Sequence, residues 1–331
     1  SILINYISGT SLWITASIIL IATLTYTLYG GLRASIFTDI VQSVIILVLF
    51  LISVIYLTSF TGGQFSFAFI AQKKSHLLSS SYIPNYTAGL TFFIAVAATN
   101  LFHQGNWQRV YAAKSNEILK KSLLISFFAI IPIVLFMGFS GLVAVSVDSN
   151  VIPDLGFFSL LLKDETKFLS IIIIILGLSL TISTVDTLVN AISSLVIVDT
   201  KAIFNFSKNI DYLKLSKYFI IFLSFIVFVV ASKGFSVLYL FLLADLFCCA
   251  FVLTVFYSFY NKQLNEKTAY ISIIAGLIGG LLLFPAPDFS KSILVGFLLP
   301  IELFSEFIST NLLFCSFIIA TFVPIITWKL K

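Results

Sequence analysis

Apolar residues run along this chain in long blocks broken by short polar stretches. A helix that crosses a bilayer needs about 20 mainly apolar residues. Nine blocks meet that length, at approximately 11–29, 38–60, 88–107, 122–146, 168–198, 216–232, 235–258, 268–285 and 309–328. Alternating apolar and polar positions of the kind that mark barrel strands are absent. The pattern predicts an all-α, polytopic transmembrane helical bundle of about nine helices. The block at 168–198 is too long for one straight crossing, so its C-terminal part is expected to extend into water. Residues 292–308 are apolar but carry Pro300, Glu302 and Glu306, which suggests an interfacial helix.

Composition supports a lipid environment. The chain is 60% hydrophobic and 10% charged, with a mean hydropathy of +1.11, whereas soluble domains carry roughly 25% charged residues. The net charge of +5 comes from short loops between apolar runs, so it is no nucleic-acid signal. With alternate crossings, one set of loops holds thirteen of the nineteen Lys and Arg, among them Arg33, Arg109, Lys114, Lys120, Lys121 and Lys201. The other set holds Lys73, Lys74, Lys163, Lys167, Lys233 and Lys291. The richer set is expected to be cytoplasmic. That puts the N-terminus of this chain outside a plasma (inner) membrane and its C-terminus inside. Cys248, Cys249 and Cys315 lie in apolar runs and read as small buried hydrophobes.

Polar groups at membrane depth are the candidate chemistry, because a charge there costs roughly 2.5–3.5 kcal/mol on insertion scales. Three carboxylates stand out: Asp39, Asp186 and Asp245. Asp39 follows Gly30-Gly31, which permits a tight turn, and lies beside Thr38 and Gln42. It can face a cation, cap its helix or pair with Arg33. Ser183, Asp186, Thr187 and Asn190 fall at i, i+3, i+4 and i+7 and share one helix face. Hydroxyl, carboxylate and carbonyl oxygens suit a small hard cation; the alternative is hydroxyls bonded back to their own helix carbonyls. Asp245 either faces a solute cavity or pairs structurally with another helix. Asn100, His103, Gln104 and Asn106 bring hydrogen-bonding groups to a helix with Gly105 inside it, as in the broken helices from which transporters build midplane sites.

These stretches together resemble the sodium:solute symporter family. They comprise the Gly30-Gly31 turn with Thr38-Asp39 and Gln42, then Gln108-Arg109 with Ala112-Ala113-Lys114-Ser115, and then Ser183-Thr184 with Asn190 and Asp199. The resemblance spans about residues 5–260. It implies a partial LeuT-like inverted-repeat fold and Na⁺-coupled symport of a small organic solute across the plasma membrane. By this resemblance Ser183 and Thr184 match hydroxyl ligands of the main sodium site, and Leu180 a backbone carbonyl ligand. Asp39, Ser183 and Thr187 match a second sodium site, and Asp186 stands where other members have serine. Asn100, His103 and Gln104 fall on the broken helix that contacts solute, with Asp245 as a further solute candidate.

The resemblance also implies a single transporter domain over 1–331, with core helices 4–10 at about 11–258 and accessory helices at about 268–328. The first three core helices have no counterpart, and the chain opens at Ser1. A fragment is therefore expected, with the missing helices supplied by a longer chain or by a separate one. Such a fragment is expected to be incapable of coupled transport alone. Expected partners are Na⁺, a small solute and the lipid bilayer, with no cofactor, no metal beyond sodium and no nucleic acid. Two other readings stay open: a transporter-like sensory module of a signalling protein, and a proton-coupled symporter for a urea- or polyamine-like solute. No nucleophile–base pair, metal cluster or phosphate loop suggests an enzyme.

Overall fold

The computed structural model describes residues 1–60, 62–164, 166–203, 211–261, 264–292, 294 and 306–329. Among them all named elements are helices. Six are long and apolar enough to cross a membrane: Leu12–Ser59, Asn116–Val147, Lys167–Ile203, Tyr212–Ser232, Val237–Tyr260 and Glu266–Leu283. Most of the difference from nine lies in three places. The first two expected blocks are joined in one kinked helix, α2 (Leu12–Phe60). The third, α4 (Ile83–Phe102), is diluted by Pro84, Asn85, Asn100 and three threonines. The last, at Leu312–Trp328, is apolar but shorter. Most of the expected interfacial helix at 292–308, with Pro300 and Glu302, lies outside the described residues; α12 (Glu306–Thr310) covers its end.

The helices group into two compact units. The first comprises Ser1–Ser75 and Gln104–Phe235. It contains α1 (Ile2–Ser8), α2, α3 (Phe67–Lys74), α5 (Gln104–Tyr111), α6 (Asn116–Val147), α7 (Gly156–Leu161), α8 (Lys167–Ile203) and α9 (Tyr212–Ser232). Side-chain caps start several of them. Ser66 accepts from the Phe69 N–H, Ser115 from Ile118, and Asp211 from Leu213 and Lys214; each satisfies a donor that the first helical turn leaves unpaired.

Gly31 divides α2 into two arms, with φ 56° and ψ −150°. That backbone region is open almost only to glycine. Leu12 lies at Gly234 and Lys217 sits over the Tyr29 ring, so the first arm runs antiparallel to α9. Asp39 meets Ser183 while Leu47 and Leu176 line one cavity, so the second arm runs antiparallel to α8. The core of this unit joins Leu57, Ile70, Val143, Leu161, Ile173 and Leu176. By contrast Leu124, Ile125, Phe128 and Leu135 of α6 are exposed, as side chains facing acyl chains would be. At 37 residues, α8 is about 55 Å long, well beyond the roughly 30 Å hydrocarbon core.

The second unit comprises His76–His103 and Ser236–Lys331, with α4, α10 (Val237–Tyr260), α11 (Glu266–Leu283), α12 and α13 (Leu312–Lys329). Small residues let α11 and α13 approach closely. A Cβ on Gly276 would stand 2.7 Å from the Ala320 carbonyl, and one on Gly280 would stand 2.8 Å from the Ala320 Cβ. Ser316 then donates to the Gly280 carbonyl at 2.7 Å, and Thr327 to Ser272 at 2.7 Å. This is small-xxx-small packing with polar links, as helices use where lipid removes the hydrophobic drive. Ala95, Leu242, Leu246, Cys249 and Phe317 form the core. Cys249 is buried, Cys248 and Cys315 are half-buried, and all three are free thiols.

Candidate functional site

The Ser183-Asp186-Thr187 stripe of α8 faces both arms of α2. Asp186 is fully buried. Its Oδ2 accepts from the Tyr26 hydroxyl at 2.8 Å, on the first arm, and from Thr38 at 3.0 Å, on the second. Its Oδ1 accepts from Ser35 at 3.2 Å and from Thr187 at 3.4 Å. The kink at Gly31 is what brings Tyr26 and Ser35, nine positions apart, to one carboxylate. Asn190, the fourth member of the stripe, turns back and donates to the Asp186 carbonyl at 3.0 Å.

Asp39 sits on the second arm. It accepts from Ser183 at 2.8 Å, and its other oxygen pairs with the Arg109 guanidinium. The same guanidinium nitrogen donates to Thr187 at 2.9 Å, and the other terminal nitrogen to the Gly105 carbonyl at 3.1 Å. Thr187 therefore links the two carboxylates: it accepts from Arg109 and donates to Asp186. The ion pair is half-buried, with 22% of the Asp39 and 37% of the Arg109 side chain exposed. Arg33, the partner expected from sequence, is exposed and forms no ion pair with Asp39 among the described residues.

Arg109 arrives through a helix break. α4 ends at Phe102, His103 takes φ −72° and ψ 100°, and α5 begins at Gln104. The break falls at His103, two residues before Gly105, and Gly105 is itself helical and buried. Gln108 ties α5 to α8 by donating to the Asn190 carbonyl at 3.1 Å and to Ser194 at 2.7 Å. Arg109 is thus fixed on a short helix, where the sequence suggested a loop.

The remaining sequence candidates are placed as follows. Thr184 donates to the Leu180 carbonyl at 2.9 Å, the back-bonded arrangement open to any helical threonine. The Leu180 side chain lines an apolar cavity of about 490 Å³ with Phe50, Met137, Phe157 and Leu176. In the second unit, Asp245 of α10 is 6% exposed and accepts from Thr99 of α4 at 2.5 Å. Asn100 donates to the Val96 carbonyl at 2.9 Å, and His103 terminates α4. Gln104 opens α5 in the first unit. The structure brings Asp39, Ser183, Asp186 and Thr187 together. Sequence reasoning missed Arg109, Tyr26 and Ser35 as their partners, and Thr99 as the partner of Asp245. The one signal for Tyr26 and Ser35 was their position on either side of the Gly-Gly turn.

Comparison with known proteins gives the same assignment as the motifs. The profile of the sodium:solute symporter family matches residues 1–276. The chain is 27% identical over 268 residues to the spermidine transporter DUR31 of Candida albicans, covering 79% of this chain. It spans about half the length of that curated relative, 49%. No solved structure gives a significant match. The chain belongs to the sodium:solute symporter family, a family of integral membrane transporters.

Proposed function

We propose that this member of the family serves in Na⁺-coupled symport of a small organic solute, and that it sits in the plasma membrane with its N-terminus outside and its C-terminus in the cytoplasm. The observation that carries the reading is the oxygen cluster on α8. Ser183, Asp186 and Thr187 project from one face, and Asp39 of α2 completes a set of hard oxygen donors in a half-buried place. Na⁺ is assigned first to Ser183, Thr184 and the Leu180 carbonyl, and second to Asp39, Ser183, Asp186 and Thr187. The hydroxyl protons of Ser183 and Thr184 now point at Asp39 and at Leu180. Both oxygens keep lone pairs for a cation. A cation entering across 100 mV gains roughly 2.3 kcal/mol, which is the energy that coupling would draw on.

An organic cation of the polyamine class is the solute that fits best. A relative is a spermidine transporter. Asp245 adds a buried carboxylate that has no ion pair among the described residues and one hydroxyl donor, Thr99. An ammonium group would neutralise it.

The test is uptake by cells expressing the full-length transporter, measured in Na⁺ and in choline across a pH series. Na⁺-dependent spermidine uptake is expected, and Ser183→Ala with Thr184→Ala is expected to abolish it. Uptake that persists in choline and follows pH would replace Na⁺ by H⁺ as the coupling ion. Uptake of neutral sugars in preference to spermidine would remove the polyamine assignment.

A further inference from the structure

The end of the first unit where α2 reverses carries a patch that the ion and solute sites leave unused. Lys214, Lys217, Tyr218, Ile221 and Phe225 fall at i, i+3, i+4, i+7 and i+11, so they share one face of α9. All five are exposed. The first arm of α2 runs antiparallel beside α9 and shows a second such face. Ile18, Ile21, Thr25 and Tyr29, at i, i+3, i+7 and i+11, are exposed as well. Thr25 returns its hydroxyl proton to the Ile21 carbonyl at 2.7 Å, so this stripe offers no free donor. The Lys217 ammonium lies 5.4 Å from the centre of the Tyr29 ring, within cation–π range. That contact joins the two faces at their charged end.

Arg33 adds a third cation, just past the kink. Neither Arg33 nor Lys217 makes an ion pair among the described residues. Lys214 reaches Asp211 at 3.6 Å, with 75% and 50% of the two side chains exposed. A pair so exposed contributes little and leaves the ammonium available. Asp211 is also engaged as the cap of α9, accepting from the Leu213 and Lys214 N–H groups. Three cations thus meet one carboxylate, and the patch keeps an excess of positive charge. Tyr29 and Tyr218 are 89% and 71% exposed beside it, as aromatic residues at a membrane–water boundary are. A lysine above an apolar stripe keeps its charge among headgroups and its methylenes among acyl chains.

We propose that this patch binds an anionic phospholipid. Lys214, Lys217 and Arg33 hold its phosphate, and an acyl chain lies along the stripes of Ile21 and Ile221. Charge complementarity selects the headgroup, since a zwitterionic lipid brings the same chains and no net charge. The two apolar stripes select a lipid over a free anion. The lipid also has a structural consequence. It engages Tyr29 through Lys217, two residues before Gly31, and Arg33, two residues after it. Its binding therefore holds the first arm on α9 and fixes the angle at the kink. The site shares no residue with the Na⁺ and solute assignments above. In the proposed orientation it faces the cytoplasmic leaflet, whose anionic lipids attract such basic clusters.

The experiment follows thermal unfolding of the whole chain in a neutral detergent as phosphatidylglycerol, phosphatidylcholine or inorganic phosphate is added. A ligand bound only by the folded state raises the unfolding midpoint by mass action. Phosphatidylglycerol is expected to raise it well above phosphatidylcholine, and added salt is expected to shrink the difference. Lys214→Gln, Lys217→Gln and Arg33→Gln are each expected to weaken the apparent phosphatidylglycerol affinity about fivefold. That is the change to which roughly 1 kcal/mol per cation at an anionic surface corresponds. The three changes together are expected to abolish the phosphatidylglycerol-specific shift. Lys73→Gln with Lys74→Gln, which removes two charges from α3, is expected to leave it intact. Equal stabilisation by the two lipids overturns the headgroup assignment. Stabilisation by inorganic phosphate equal to that by phosphatidylglycerol overturns the lipid. A shift that survives the triple change, or falls as far in the α3 variant, overturns the site. Na⁺-driven uptake is read separately, so failure here leaves the symport reading standing.

Discussion

Three acceptors share the Arg109 guanidinium: the Asp39 carboxylate, the Thr187 hydroxyl and the Gly105 carbonyl. A planar fork serves all three, and a lysine ammonium on a flexible stem cannot reproduce the spread. Removing one partner of a buried pair costs roughly 3–5 kcal/mol, because the other charge is stranded. This pair is partly exposed, so solvent lowers the expected cost of Arg109→Gln to about 1–3 kcal/mol. Asp39→Asn together with Arg109→Gln should then cost less than the sum of the single changes, with a coupling of about 1–2 kcal/mol. Arg109→Lys should recover only part of the loss. Thermal unfolding of the four variants in detergent measures both, and strict additivity would show that the pair contributes nothing. Asp186 and its hydroxyl neighbours on α8 could be read from the sequence, because i, i+3 and i+4 spacing alone puts Ser183, Asp186 and Thr187 on one face. Arg109 could not. It lies 70 residues from Asp39 in a short polar segment that looks like a loop. Only the break at His103 and the Gln108 anchor show that it returns to α2.

At the scale of elements, glycines decide how the helices meet. Gly30-Gly31 marked a turn between two apolar blocks, and the structure places the whole reversal on Gly31. At φ 56°, ψ −150° any Cβ is strained, so Gly31→Ala should destabilise by about 1–3 kcal/mol although nothing crowds the position. The same change should splay Tyr26 away from Ser35 and Thr38, which meet at Asp186 across the kink. Gly276 has ordinary helical geometry and fails for a different reason, since its added methyl would meet the Ala320 carbonyl and Pro324. Gly276→Ala is expected to loosen α11 from α13 and lower the unfolding midpoint. Gly138→Ala, in an open part of α6, supplies the contrast. It should be neutral or stabilise by up to about 1 kcal/mol through helix propensity. Equal effects at 276 and 138 would remove the close-packing account. Periodicity showed that these helices exist. It gave no sign of which glycine faces a neighbour, because that depends on a partner helix about 40 residues away.

For the whole molecule, orientation decides from which side of the membrane the proposed Na⁺ site would be loaded. Lys and Arg in short loops set orientation, because moving them across the membrane during insertion is unfavourable. The loop that precedes α6 and its first turns carry Lys114, Lys120 and Lys121, while the segment around α3 and the start of α8 carry Lys73, Lys74, Lys163 and Lys167. α6 runs between these two groups as one continuous apolar helix, Asn116–Val147. The two groups therefore lie on opposite sides if α6 spans the bilayer. The richer set, of which Lys120 is a member, is expected in the cytoplasm. A cysteine placed at Lys163, in a background with Cys248, Cys249 and Cys315 replaced by serine or alanine, should react with a membrane-impermeant maleimide in intact cells. One placed at Lys120 should react only after permeabilisation. The opposite pattern would invert the chain, and Na⁺ would then have to reach Asp186 and Ser183 from the other face. Labelling of both sites in intact cells would mean that α6 does not span the bilayer. In that case the charge asymmetry would lose its geometric basis, and the direction of Na⁺ entry would need to be fixed by transport measurements in oriented vesicles.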